Sequence, residues 1–153
     1  MPENSEIKKA LLQLCFNTVN ARIDMVESEL ASIQQSRANE TKSSAGDKFE
    51  TGRAMLQQEE DNNKKQLANA LMLKNVLQKV KPEHSSKSVD LGAVVQTDSG
   101  NYFVSTAIGK LELNGTTYFA ISQGSPIGMA LNGKQAGETV SFNNRNLQLV
   151  ALF

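Results

Sequence analysis

The chain has 153 residues with 16 Lys or Arg and 16 Asp or Glu. The length allows one medium domain or two small ones with thin cores. The balanced charge argues against direct DNA or RNA binding through phosphates, although charge can still segregate by face. One cysteine and one histidine exclude a disulfide framework, a cysteine-based zinc cluster, a multi-histidine metal site and a large acyl-condensing or hydrolytic enzyme.

Composition changes at Pro82. Twelve basic and eleven acidic residues precede it, and four and five follow, so neither half hides a charged patch. Only Gly46 and Gly52 lie before it, whereas the other eight glycines lie beyond. Few breakers and many Ala, Leu, Gln, Glu and Lys predict helix in the first half. Leu12, Phe16, Val19, Ile23, Val26, Leu30 and Ile33 follow a 4, 3, 4, 3 spacing, a heptad seam. Leu56, Leu67, Ala70, Leu73, Leu77 and Val80 supply a second apolar face. The middle of that stretch, residues 57–66, is polar, and Glu60–Lys64 and Asp61–Lys65 stand at i,i+4 in the favourable order. A polar stretch from Ser36 to Gly46 reads as the turn between the two helices. The result is an antiparallel helical hairpin over 1–81, with arms of about 30 residues that extend ~45 Å at 1.5 Å per residue. A parallel homodimeric coiled coil is the alternative pairing.

Residues 82–90 read as a linker, because Pro82 blocks helix continuation and the residues after it are small and polar. His84 falls there as a solvated residue. Cys15 lies beside the seam and reads as a packed thiol, since it has no histidine partner that would make it a nucleophile.

From residue 91 the period changes to two. Strand patterns are predicted at Leu91–Gln96, Tyr102–Ala107, Thr117–Ser122, Glu138–Phe142 and Leu147–Leu152. Turn signals separate them at Asp98-Ser99-Gly100, Asn114-Gly115 and Asn143-Asn144, and Asn114-Gly115 predicts a type I′ hairpin. Pro126 opens a short helix through Leu131 that Asn132-Gly133 stops. The fold class is therefore α+β, a helical hairpin followed by a small antiparallel β domain with one short helix over 91–153. Tyr102, Phe103, Tyr118, Phe119, Phe142 and Phe153 supply sheet core or an aromatic pocket of the prolyl-isomerase type. With no run of 18 apolar residues, the expectation is a soluble cytoplasmic protein with no membrane partner.

Two stretches carry a resemblance to a known family. Gly46-Asp47-Lys48-Phe49-Glu50 at the hairpin turn is similar to a Gly-Asp-x-x-Glu tip motif. Ser125–Glu138 is similar to Ser-Pro-Ile/Leu-x-x-Ala-Leu-Ile/Leu-Gly-Lys-x-x-Gly-Asp/Glu followed by a strand. With the architecture over nearly the whole chain, these make the protein resemble the Gre family of bacterial transcript-cleavage factors. The resemblance implies an FKBP-like β domain that docks on RNA polymerase, and a hairpin that enters the secondary channel to promote hydrolysis of backtracked RNA. It implies an accessory factor rather than an enzyme. Asp47 and Glu50 would help to hold Mg²⁺ at the polymerase active centre, and the nascent RNA 3′ end would be met only inside that complex. No cofactor belongs to the chain itself, and duplex DNA is not bound. Ser125, Pro126, Ile127 and Met129 are the candidate docking residues.

Spacing makes the tip chemistry reasonable. Asp47 and Glu50 are three apart, so on a first helical turn they share a face, and Mg²⁺ prefers hard oxygen ligands. The same pattern is that of a helix cap, in which Asp47 binds backbone N–H groups and Glu50 reaches back. After Glu50 the family's Asn-x-Glu/Asp-Tyr is replaced by Thr51-Gly52-Arg53-Ala54, and Lys48 adds a cation between the acids. These departures favour, as the alternative, a polymerase-binding relative that inhibits or regulates. A helical-hairpin adaptor or chaperone without a polymerase role is the reading from another class.

Overall fold

A computed structural model describes residues 3–42 and 46–153, with side chains outside 40–50. The order is α1 (Asn4–Lys42), α2 (Gly46–Lys79), β1 (Val94–Thr97), β2 (Gly100–Ser105), β3 (Gly109–Leu113), β4 (Thr116–Ser122), α3 (Pro126–Leu131), β5 (Thr139–Phe142) and β6 (Arg145–Leu152). This is α+β, as the change of period predicts. Two compact units result, one built from 1–18 with 73–153 and the other from 19–72.

In the first unit the six strands lie in the order β3-β4-β2-β1-β6-β5. Four ladders are antiparallel, and β2 with β4 is parallel, because the β3–β4 hairpin folds back beside β2. That hairpin turns on Asn114 and Gly115, both at positive φ (51° and 79°), as a type I′ turn requires. Asn143 and Asn144 make the equivalent turn between β5 and β6, at φ 50° and 61°. The strand β3 is absent from the five predicted segments. Its alternation rests on Leu111 and Leu113 alone, with Lys110 and Glu112 exposed between, a charged edge that discourages pairing with another chain. Opposite Gln96 and Thr97 the ladder slips by one residue of β6, and the extra residue, Val150, stands out in solvent.

Both sheet faces are buried in part. On one, Val95, Val104, Val140 and Leu149 form a core with Val89, Ala93 and Leu131, and Ile127 and Ala130 of α3 pack onto it. The opposite face carries Val94, Phe103, Tyr118, Ala120 and Leu111, all buried, and Ser105 on that face neighbours Cys15 of α1. This contact corrects the detail of the seam. In the first unit Lys8, Leu11 and Cys15 are fully buried, whereas Leu12 and Phe16 are half-buried. The buried stripe has rotated because the start of α1 packs on the sheet as well as on a helix.

In the second unit Val19, Ile23, Val26 and Ile33 are buried on α1, and Ala70 on α2. An Arg37–Glu60 ion pair at 2.6 Å joins the helices in antiparallel register, and Arg37 also donates to Gln57 at 3.1 Å. The predicted turn from Ser36 is therefore too early. With no Gly or Pro between Ser36 and Lys42, α1 continues to Lys42. Lys64 pairs with Glu60 at 3.1 Å as the i,i+4 spacing predicts, while Asp61 accepts from Gln57 instead. Glu60 and Asn63, from the polar stretch 57–66, occupy buried positions.

Candidate functional site

Asp47 and Glu50 lie in the first turn of α2, whose helix opens at Gly46. Their side chains fall outside the described residues, as does Lys48, so neither the metal-holding nor the capping role has a geometry here. Thr51, Gly52, Arg53 and Ala54 continue the same helix.

The second candidate stretch folds into a tightly bonded unit. Ser125 is the N-cap of α3: its Oγ accepts from the Gly128 N–H at 3.1 Å and donates to the Ser122 carbonyl at 2.8 Å. Pro126 holds the first helical position, where the missing N–H costs nothing. Gly128 is buried against the chain before the cap, and a Cβ there would overlap the Ser122 carbonyl oxygen. Beyond the helix, the Lys134 backbone N–H donates to the Leu131 carbonyl, Gln135 N–H donates to Glu138 Oε2 at 2.6 Å, and Gly137 N–H donates to the Leu149 carbonyl. The motif is thereby tied to β6.

The four candidate docking residues have different duties. The Ser125 hydroxyl is used by the cap, and Ile127 packs toward the core. Pro126 and Met129, three apart on one helix face, are exposed, Met129 by 63%. Exposed apolar side chains on a short rigid helix suit contact with a protein surface better than chemistry.

The aromatic residues do not converge. Phe103 and Tyr118 lie on one sheet face, and Tyr102 and Phe119 lie on the other with ring centroids 6.3 Å apart. Tyr102 and Phe142 line a shallow cleft with Arg145 and Leu147, and burial there raises the Tyr102 hydroxyl above its usual pKa.

A polar cluster that composition gave no reason to expect surrounds the linker. Lys8 is 1% exposed, and its Nζ donates to the His84 carbonyl at 2.6 Å. Burial pulls its pKa below the usual value, and Asp90 opposes this through its charge. His84 Nε2 stands 3.1 Å from Asp90 Oδ2, and Ser86 Oγ donates to Asp90 Oδ1 at 2.6 Å. The carboxylate lies between serine and histidine, so His84 is not placed to take a proton from Ser86, and the group fastens the linker instead of forming a nucleophile. Only the spacing hinted at Lys8, since 8, 11, 15 and 19 form one helical stripe with a lysine at its head, while its residue type argued for the surface. Cys15, fully buried, is held up to about 11 by desolvation, with the neighbouring Ser105 pulling the other way.

Among the described residues no helix is long and apolar enough to cross a membrane. No group of three or more His, Cys, Asp or Glu among them is arranged to hold a metal ion. No known family model matches the chain, and no curated protein matches its sequence.

Proposed function

We propose that this protein is a cytoplasmic accessory factor resembling the Gre family, which binds RNA polymerase and acts at its active centre through the turn between α1 and α2. The observation that carries the reading is the Ser125–Glu138 motif: it folds as a capped helix with Pro126 and Met129 exposed, in a chain that opens with two long helices. In this reading Pro126 and Met129 dock on the polymerase, and Asp47 and Glu50 reach the RNA 3′ end. Two carboxylates are too few for a Mg²⁺ site of the chain's own, but they suit a shared one, since Mg²⁺ is held by one or two carboxylates and completes its shell from elsewhere. Bound there, the ion would polarise the scissile phosphate and activate water, chemistry that belongs to the polymerase.

The test is transcript cleavage in stalled, backtracked complexes at fixed Mg²⁺, comparing wild type with Asp47→Ala/Glu50→Ala. Accelerated cleavage by wild type, with a loss of about 100-fold or more in the double variant, is the expected result. Binding with unchanged or slower cleavage would assign the protein to the inhibitory reading, which Lys48 and Arg53 beside the acids favour. Failure to bind polymerase would overturn both in favour of an adaptor.

A further inference from the structure

The turn at Asn143-Asn144 sets Phe142 and Arg145 opposite each other, and alternation along β6 puts Leu147 on the same sheet face. Val140 and Leu149, two residues further along β5 and β6, belong to the core beneath α3. Tyr102 of β2 packs against that core as well. The face therefore continues past the core as a cleft lined by Ser99, Tyr102, Phe142, Asn143, Arg145 and Leu147. It encloses about 390 Å³, at the small end of the ~300–1,000 Å³ of ligand sites.

The lining carries one charge. Arg145 is exposed and has no ion-pair partner among the described residues. No acid lines the cleft, and Asp98, beside Ser99, accepts from the Gln148 N–H at 3.0 Å instead. The Tyr102 hydroxyl makes no hydrogen bond among the described residues and stays open to solvent, so a ligand can reach it. Arg145 lies near enough to oppose the rise in its pKa, which places cation and hydroxyl in one site. These groups select by sign, number and shape. An unpaired guanidinium without acids calls for an anion, and a carboxylate matches two of its parallel N–H groups while leaving lone pairs for the tyrosine hydroxyl. One cation suits a single negative charge, whereas a nucleic-acid backbone is held by several. The Tyr102 ring, Phe142 and Leu147 make an apolar wall for a flat hydrocarbon body.

We propose that this cleft binds a small aromatic carboxylate, its anion on Arg145 and Tyr102 and its ring against Phe142 and Leu147. The proposal goes beyond the polymerase reading and does not depend on it. It is tested on the full ¹⁵N-labelled chain at low salt, titrated with phenylacetate and two controls. Phenylacetamide keeps the shape without the charge, and acetate keeps the charge without the ring. Phenylacetate should shift the backbone amides of 99–102 and 142–147, saturably. Each control should bind about tenfold more weakly, the one for want of a charged hydrogen bond and the other for want of apolar contact. Arg145→Gln should weaken phenylacetate by about tenfold, and Arg145→Lys should restore only part of that, because an ammonium lacks the paired donors. Tyr102→Phe should weaken it by about threefold, the worth of one neutral donor. Equal binding of acid and amide, shifts indifferent to Arg145→Gln, or no saturable shift with phenylacetate would overturn the proposal. So would acetate binding as tightly as phenylacetate, which would leave an adventitious ion only.

Discussion

Lys8 and Cys15 lie seven residues apart on the buried face of α1, and they respond to alkali in opposite directions. The Cys15 thiol is raised from 9.0 to about 11. A raised value favours the fold fully below 9.0, and that contribution is lost as pH climbs through about 11. The difference corresponds to ~3 kcal/mol, so urea midpoints should show the advantage of wild type over Cys15→Ala shrinking between pH 8 and pH 11. Lys8 is depressed, so the unfolded chain holds the extra proton, and stability gains as pH rises from the depressed value to 10.5. Lys8→Met should remove that gain, visible as a change in the slope of midpoint against pH. At neutral pH the buried thiol should resist an aromatic disulfide reagent until the chain opens, with a reaction rate that rises with urea. Cys15 as a packed thiol was legible from its place beside the heptad seam. The burial of Lys8 was not, because long basic side chains usually surface, and only the stripe spacing pointed inward.

At the scale of elements, the short helix α3 depends on two small residues. Ser125→Ala removes both the cap acceptor and the bond to Ser122, and should cost about 1–2 kcal/mol in urea denaturation. Gly128→Ala should cost more, ~2–4 kcal/mol, because its Cβ would displace backbone and not a flexible tip. Helix and turn chemistry made this element readable in advance: Pro126 at its start and Asn132-Gly133 at its end bracket it to the residue. The same local rules revealed the Asn114-Gly115 turn but missed the strand before it, since two leucines between charges carry little periodic signal. The long helices show the opposite failure. Ser36–Lys42 is rich in turn formers yet stays helical, held by Arg37 on Glu60 and Gln57, contacts between residues about 20 apart that no local pattern encodes. The burial of Glu60 and Asn63 within the polar stretch 57–66 was hidden for the same reason.

For the whole molecule, each long helix belongs to two compact units, and the division falls after Thr18 in α1 and before Leu73 in α2. The first unit has a sheet buried on both faces, and the second has two helices with an ion pair and an amide among their buried positions. Amide exchange should follow the division. Protection is expected to be highest at Leu11–Cys15, Val94 and Phe103, and to fall along α1 beyond Thr18 although the helix itself is unbroken. Uniform protection along α1 would contradict this. Composition located the change from helix to sheet near Pro82, because periodicity is a local property. It could not show that the start of α1, with Leu11 and Cys15, packs with the sheet, which is a matter of tertiary burial. That arrangement has a consequence for synthesis. Leu11 and Cys15 leave the ribosome well before β1–β6 exist, and at about 5–20 residues per second the wait is roughly 7–27 s. During that interval the apolar stripe at the start of α1 is uncovered, so the nascent chain passes through a stage in which the helices of the 19–72 unit can pair while Leu11 and Cys15 still depend on a chaperone or on their own helix for cover.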